Sequence, residues 1–312
     1  MHYPKVSIII LNWNGLEDTI ECLESLKKIS YPNYEVIVVD NGSEDGSTQR
    51  IQKEFPQYRY IYNHQNLGYA KAMNKAIEDA LTREADYIFP LNNDARIEDG
   101  RCFEKLINFA ESDPKIGIVG PRFIFPSESY QSSAYNIFMP AIVYLFLPDV
   151  LANFILFGFG RQFNKPKEVL WVSGMFLVKK KLIENLGLFD ERFFVGGEDV
   201  DYCLRAKKFG WKIVYYPQTY FMHKRGTSAQ RFDGQSVAAN FNKLAIEAMI
   251  QLLYKWKSRP VAYLYRTLLA LGFYLRGIEW LFRSVVGDNK NKMKIANDFF
   301  NASKLIFQIV PK

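Results

Sequence analysis

Asn92-Asn93-Asp94 follows directly after the apolar run from Tyr87 to Leu91, and it is the first group of residues suited to chemistry. The run has the length and the aromatic and branched content of a buried strand. Ligands of open α/β sheets bind beyond the carboxyl ends of the strands. A carboxylate there can ligate Mg2+ or Mn2+ that is shared with substrate phosphates. An ordinary strand-ending turn is the alternative interpretation of the tripeptide.

A second group of acids follows the glycine pair at 196–197. Glu198, Asp199 and Asp201 open a predicted helix that runs to about Phe209. Acidic side chains at a helix N-terminus are favoured by the helix dipole, by about 0.3–1 kcal/mol each. Three acids within four residues behind two glycines exceed what capping requires. The pattern therefore indicates a second chemical centre.

The elements before these groups repeat a strand, a polar turn and a helix, which is the βαβ pattern. Predicted strands at 6–11, 35–39 and 58–62 each end in polar residues, as does the strand before Asp94. We expect these four ends to meet at one rim of a parallel sheet. Asp40, at the second of them, can accept a hydrogen bond from a pyrimidine N–H or a ribose hydroxyl, or can simply form a turn.

Two common phosphate-binding motifs are absent. The first strand–helix unit has no GxGxxG, and the chain has no GxxxxGK[ST], so a dinucleotide-binding Rossmann site and a P-loop are both disfavoured.

Taken in order, these pieces resemble the family 2 glycosyltransferases of the GT-A fold, in particular the rhamnosyltransferase-like branch. The resemblance covers about residues 4–226. The matching stretches are Val6 to Gly15, Val38 to Ser43, Asn66 to Ala70, Leu91 to Asp94, Ser173-Gly174 and Gly197 to Asp201.

The resemblance implies an α/β fold: a GT-A type, Rossmann-like mixed sheet flanked by helices, with a C-terminal helical appendage that associates with membranes. Residues 1–230 would form the catalytic domain, with a nucleotide-sugar half at about 1–120 and an acceptor half at about 121–230. Residues 231–312 would form the amphipathic helical region.

The resemblance also implies inverting transfer from a nucleotide-diphosphate sugar of the dTDP or UDP type, with rhamnose as the first choice of sugar. Mn2+ or Mg2+ would be bound by Asp94 and His223. Asn92 stands where the family's DxD motif has its first aspartate, and would serve the ribose or a metal-bound water. Because this substitution removes a negative charge, metal affinity without donor should be weak.

Further roles follow from the same resemblance. Asp199 would take the proton from the attacking hydroxyl, and Glu198 would contact the acceptor or hold the helix. Asp40 would bind the nucleobase, and Lys224 and Arg225 would lie close to the diphosphate. The remaining residues expected around the donor are Asn12, Asn14, Asn66, Gly68, Ser173 and Gly174.

Net charge separates the two ends of the chain. Residues 1–222 carry 25 Lys and Arg against 28 Asp and Glu, whereas residues 223–312 carry 15 against 5.

Residues 236–286 are predicted to be helical, with one break at Arg259-Pro260. These helices could lie in a membrane interface, or they could form a soluble hairpin. The apolar segment 137–159 could enter the lipid interface, fill the core or span the bilayer. Because no nucleic-acid motif is present, we expect an anionic membrane surface as the partner.

The remaining features concern the cellular context. The three cysteines are isolated and lack CxxC spacing, which indicates thiols of a reducing compartment. With no signal-peptide pattern at the start, the expected location is the cytoplasmic face of the plasma membrane, as a peripheral protein with a polyprenyl-linked glycan acceptor. The rival functions are a sugar nucleotidylyltransferase and a non-catalytic glycan-binding or scaffold subunit of the same fold.

Overall fold

A computed structural model describes residues 3–131, 133–135, 163–224, 243–287 and 290–310. The chain divides into two compact units. Of the described residues, the first unit contains 3–131, 133–135, 163–194 and 198–224, and the second contains 243–287, 290–310 and the short stretch 195–197.

The amino-terminal half of the first unit is a parallel sheet with the strand order β3-β2-β1-β4. Ile8, Ile9 and Ile10 are all fully buried, as expected for a central strand with both faces covered. The elements are β1 (Val6–Asn12), α1 (Leu16–Ser25), β2 (Tyr34–Asn41), α2 (Ser47–Glu54), β3 (Arg59–Asn63), α3 (Tyr69–Thr82) and β4 (Tyr87–Asn92).

The carboxyl-terminal half makes the sheet mixed, because the path continues β4-β11-β6-β12-β5 with β11 antiparallel to both of its neighbours. The strands are β5 (Ala95–Ile97), β6 (Ile116–Ile124), β7 (Tyr130–Gln131), β8 (Ala134–Tyr135), β9 (Lys167–Glu168), β10 (Trp171–Val172), β11 (Leu177–Lys179) and β12 (Lys212–His223). The helices are α4 (Cys102–Glu111), α5 (Lys180–Leu186) and α6 (Glu198–Lys208).

The sequence of Ile213 to Tyr216 predicts a short strand, but β12 is longer than this. Instead of ending near Tyr216, it continues to His223, with a register shift between Tyr216 and Tyr220. Pro217 lies in this irregular stretch, where a residue without a backbone N–H is tolerated. The extension pairs with β5, and it aligns His223 with Ala95, the residue after Asp94.

The sequence of residues 169–172 predicts a strand that leads to Ser173-Gly174, but the observed strand is shorter and does not join the main sheet. Only Trp171–Val172 is extended, and it pairs with β8 in a separate two-stranded sheet. Ser173 and Gly174 follow directly and lead back to β11.

Hydrophobic cores cover both faces of the main sheet. On one face the rings of Phe89, Phe103 and Phe221 pack together, with 5.1 Å between the centroids of Phe89 and Phe103. On the other face α3 presents small residues such as Ala70 and Ala76, so its backbone lies close to the strands. The three cysteines are buried and unbridged, as predicted.

The described part of the second unit is mainly three helices, α7 (Lys243–Trp256), α8 (Arg259–Gly287) and α9 (Lys290–Gln308). Helices α8 and α9 pack closely, because Gly277 allows the ring of Phe300 to approach its Cα. Among the described residues, no helix combines the length and apolarity that crossing a bilayer requires. The segment 137–159 lies outside the described residues.

Candidate functional site

The end of β4 and the end of β12 bring together the two residues expected to bind metal. His223 Nε2 lies 3.1 Å from Asp94 Oδ1; the Asp94 side chain is buried, and that of His223 is 12% exposed. The amide Nδ2 of Asn92 lies 3.2 Å from the same ring nitrogen. The backbone N–H of Lys224 donates to the Asp94 carbonyl, which fixes the two chain segments together.

Gln131 determines which nitrogen of His223 carries hydrogen. Its Oε1 lies 2.9 Å from His223 Nδ1, so Nδ1 must be the donor. In the neutral ring Nε2 is then an acceptor, placed to receive the amide N–H of Asn92 or, together with Asp94 Oδ1, to ligate a cation.

The donor set fits Mn2+ or Mg2+ in spacing and in type. Adjacent ligands of an octahedral Mg2+ stand roughly 2.9 Å apart, close to the separation of these two atoms. Imidazole nitrogen and carboxylate oxygen are suitable ligands for such metals. No group of three or more His, Cys, Asp or Glu residues forms a metal cluster within the described part of the chain.

Gly174 connects this pair to Asp199. The backbone N–H of Gly174 donates to Asp199 Oδ2 at 3.1 Å. A Cβ built on Gly174 would lie 3.6 Å from the amide nitrogen of Asn92, so the glycine stands between the two groups. Its φ of +69° is one that glycine adopts without strain. Asp94, His223, Asn92, Gly174 and Asp199 thus form a continuous set of neighbours.

Asp199 is held as a basic carboxylate at the first turn of α6. Burial raises its pKa above the ordinary aspartate value, and the N–H groups of Gly174 and Val200 oppose that rise. The Val200 N–H donates to Oδ1 at 2.7 Å. A carboxylate with a raised pKa is the kind of group that accepts a proton during catalysis.

The neighbouring acids have different surroundings. Glu198 is buried, and together with Asp199 it raises the pKa of the Tyr69 hydroxyl, which burial has already raised. Asp201 is fully buried and accepts a 2.9 Å hydrogen bond from Arg205. Asp201 therefore holds α6 in place through this ion pair.

Asp40 lies on the same rim, fixed by its neighbours. Its Oδ1 accepts from the amide of Asn12 at 3.1 Å, and its Oδ2 accepts from the N–H of Ser43. Asn12 is itself buried and also donates to Ser47. Its side chain is thus turned toward Asp40 and not outward, so any effect of Asn12 on a ligand passes through Asp40.

The two turns flanking Asp40 are joined by side-chain amides. Asn14 Oδ1 accepts from the N–H of Glu44, linking the first turn to the second. Asn66 Oδ1 accepts from Asn41 and from the N–H of Gly68, which shapes the entry to α3. Ser173 is tied by its backbone N–H to the carbonyl of Ser133.

Lys224 lies beside the metal-ligand pair but is engaged with α1. Its ammonium is 2.9 Å from Asp18 and 2.8 Å from Glu21. Burial opposes its charge, but hydrogen bonds to both acids outweigh that effect and raise its pKa. A contact with a diphosphate would replace these ion pairs. Arg225 lies outside the described residues.

The family model described as "Glycosyl transferase family 2" matches residues 7–187, more than half of the chain. The chain belongs to glycosyl transferase family 2. The glycosyltransferase falls in the rhamnosyltransferase-like branch, as the names of its relatives show. It is 29% identical to an N-acetylglucosaminyl-diphospho-decaprenol L-rhamnosyltransferase of Mycobacterium tuberculosis, with 88% of this chain and 92% of the relative covered.

Two further likenesses agree with this placement. The glycosyltransferase is 23% identical to the dTDP-rhamnosyl transferase RfbF of Shigella flexneri, over 75% of this chain and 73% of that one. Its fold is similar to that of a mannosyltransferase from Pyrobaculum calidifontis solved with GDP-Man and Mn2+, with a TM-score of 0.55, 17% identity, and 98% and 87% of the two chains covered. The predicted GT-A fold is confirmed.

Three residues of the candidate site of this glycosyltransferase were not predicted from the sequence, because no motif includes them. Gln131 lies on a two-residue strand. Thr19 donates to Asn12 and accepts from Asn93, which ties α1 to both turns. Tyr62 is half exposed and is the register partner of Asp40 on β3, so it offers a ring for stacking beside that carboxylate. Only the parallel register of β2 and β3 could have indicated Tyr62.

Proposed function

We propose that this glycosyltransferase transfers rhamnose, with inversion, from a dTDP- or UDP-linked donor to a lipid-linked glycan in cell-surface polysaccharide synthesis. The observation that carries the proposal is the set of neighbours running from Asp94 and His223 through Asn92 and Gly174 to Asp199. Two side chains suited to ligate a metal thus lie near a carboxylate of raised pKa at one end of one sheet, which supports the proposal.

Asp199 is the residue that takes the proton from the attacking hydroxyl. Inverting transfer needs one carboxylate on the acceptor side, and the raised pKa of Asp199 suits it to that task. Glu198 lies next to it and contacts the acceptor. Asp40 and Tyr62 receive the nucleobase, and Ser173 and Gly174 line the path between donor and base.

Asp94 and His223 would hold the divalent metal, with Asn92 beside them to serve the ribose or a metal-bound water. The metal would supply positive charge that stabilises the leaving diphosphate. Lys224, and Arg225 next to it in sequence, would add positive charge near the same group. Because Asn92 brings no negative charge, metal affinity without the diphosphate of the donor should be weak.

The donor and the acceptor are inferred from the relatives. One is named for a decaprenol-linked acceptor and L-rhamnose, and another for dTDP-rhamnose. A lipid-linked acceptor places the enzyme at a membrane, and a nucleotide-sugar donor places it on the cytoplasmic face of the plasma membrane as a peripheral protein.

The test of the proposed base is the variant Asp199→Asn. We expect it to lower kcat by about 10²–10⁴-fold while leaving donor binding within about twofold, because only the proton acceptor is lost. Transfer is measured by mass spectrometry with a panel of nucleotide sugars and a polyprenyl-linked acceptor, and donor binding by calorimetry. Asp113→Asn removes a partly exposed acid that pairs with Lys212 near the start of β6, and serves as the control. Turnover retained by Asp199→Asn would remove Asp199 from this role.

A further inference from the structure

Helix α8 has an exposed face with almost no charge. Between Val261 and Val285 twelve residues are exposed, and Arg283 is the single charged one among them. Eight apolar residues with alternating spacings of three and four form a continuous line, which we call the α8 stripe. These are Val261, Leu264, Leu268, Leu271, Leu275, Ile278, Phe282 and Val285.

The stripe is not the face that packs within the unit. Ala262, Tyr265, Leu269 and Phe273 are buried and lie on the opposite side of α8. Leu264 is 59% exposed, Phe282 69% and Val285 72%. The outer face of α9 is mixed by comparison, with exposed Lys294, Asn297, Asn301 and Lys304 beside a few apolar residues. Soluble proteins rarely leave a contiguous apolar surface of this length without a partner.

Both ends of the stripe are basic. Lys255, Lys257 and Arg259 precede it at the junction of α7 and α8, and Lys290, Lys292 and Lys294 follow it in the first turns of α9. The stripe spans about 36 Å between them, at 1.5 Å per residue. Residues 243–310 carry 11 Lys and Arg against 4 Asp and Glu.

We propose that the α8 stripe is a lipid-contacting surface that lies flat in the interface of an anionic membrane. An amphipathic helix binds this way when its apolar face enters the boundary of the acyl chains and its basic residues meet the head groups. Arg276 and Arg283 flank the stripe and reach back to the head-group level along their aliphatic stems. The inference deepens the proposed function, on which it rests for the lipid-linked acceptor.

The charge pattern favours an anionic lipid surface over a second copy of the chain. Two copies that joined their stripes would bring basic ends together whether the helices ran parallel or antiparallel. Like charges at both ends oppose that pairing, whereas acidic head groups attract both ends at once. Charged Arg276, Glu279 and Arg283 on the same helix also argue against insertion across the bilayer.

The test is co-sedimentation of the full chain with vesicles of phosphatidylcholine alone or with 30% phosphatidylglycerol. We expect binding to the anionic vesicles that weakens in high salt, and at least tenfold weaker binding to neutral vesicles, because both apolar burial and charge contribute. The variant L271E/L275E should lose about tenfold or more of the anionic binding. The variant N297E/N301E adds the same two charges, with the same spacing, to α9 and should lose less than about threefold.

Circular dichroism checks that both double variants fold, and sedimentation velocity without lipid gives the oligomeric state. Absent vesicle binding, equal binding to neutral and anionic vesicles, or a stripe variant that binds like the unaltered protein would each overturn the proposal. So would a dimer in lipid-free solution that only L271E/L275E dissociates. Transfer to a water-soluble acceptor with a short alkyl chain is measured in parallel, so that a failure of the proposed chemistry is distinguished from a failure of membrane binding.

Discussion

The imidazole of His223 has different neighbours at its two nitrogens. Gln131 accepts a hydrogen bond at Nδ1, while Nε2 faces Asp94 and Asn92. Residues that bind the far nitrogen of a ligating histidine fix both its tautomer and its ring orientation. Gln131 is buried, so water does not compete for this contact.

The first prediction at this scale concerns Gln131→Met, which keeps the volume and removes the acceptor. We expect about 10–100-fold weaker Mn2+ binding in the presence of nucleotide, measured by electron paramagnetic resonance. Nitrogen-15 spectra of histidine-labelled protein should show His223 changing its tautomer balance, and they are readable because the chain has only 3 histidines. Gln218→Met, an exposed substitution on β12, is the control. Unchanged Mn2+ affinity and spectra in Gln131→Met would contradict the assignment.

The second prediction concerns pH. Because burial raises the pKa of Asp199, its active, ionised form is lost at a higher pH than that of an ordinary aspartate. We expect kcat to fall as pH decreases through this raised pKa, with one proton taken up, while donor binding changes less. A pH profile of kcat alongside donor affinity checks this. A kcat that stays constant down to the ordinary aspartate range would show that Asp199 does not act as the base.

At the scale of elements, the turn before α3 is locked onto the segment that leads to α6. Gly68 has a φ of +80°, and a Cβ there would lie 2.6 Å from the carbonyl oxygen of Phe194. The N–H of Tyr69 donates to that same oxygen at 2.5 Å. The entry of one helix thereby supports the segment that carries the acids.

Gly68→Ala tests this contact, with Gly187→Ala as a matched control. Gly187 has a similar backbone conformation, with φ +75° and ψ −164° against φ +80° and ψ 169° at Gly68, but it has no atom within 4 Å of an added Cβ. Both variants bear the backbone strain, of order 1–3 kcal/mol, and only Gly68→Ala adds the clash. We expect Gly68→Ala to lower the free energy of unfolding by at least about 1 kcal/mol more than Gly187→Ala, measured with denaturant. Equal decreases in the free energy of unfolding would mean that the segment around Phe194 moves away from the added Cβ without destabilising the protein.

The elements that the sequence predicted well are those whose signal is local. A window of about ten residues is enough to recognise the apolar runs of β1, β2 and β4 and the acidic start of α6. Strand β12 was underestimated, because Pro217 interrupts its pattern and pairing with β5 and β6 restores it. Pairing between strands that are distant in the chain cannot be predicted from a short window of sequence.

The residues of the candidate site also differ in whether the sequence could predict them. Asp94, His223 and Asp199 were expected through resemblance to a family, and the fold brings them into one set of neighbours. Gln131 was not expected, because glutamine is common and strand β7 has only two residues. Its role exists only because β7 pairs with β6 and places its amide against a ring from β12.

At the scale of the whole molecule, metal binding and donor binding should be one event. Asp94 and His223 supply one carboxylate and one imidazole, and no third acid, histidine or cysteine joins them among the described residues. We expect 1 mM Mn2+ alone to raise Tm by less than about 1 °C. Mn2+ with dTDP or UDP should raise it by several degrees, since a ligand at 100 times its Kd adds about 2.7 kcal/mol and each kcal/mol is worth about 2–4 °C.

Scanning calorimetry with metal, nucleotide, both, and both followed by a chelator measures this coupling. The chelator should return Tm to the value with nucleotide alone. Asp94→Asn should abolish the extra shift from Mn2+ while keeping the shift from nucleotide, because the base-binding residues around Asp40 are untouched. If Mn2+ alone gave the full shift, the protein would hold the metal without the diphosphate, and the shared site between Asp94, His223 and the donor would be wrong.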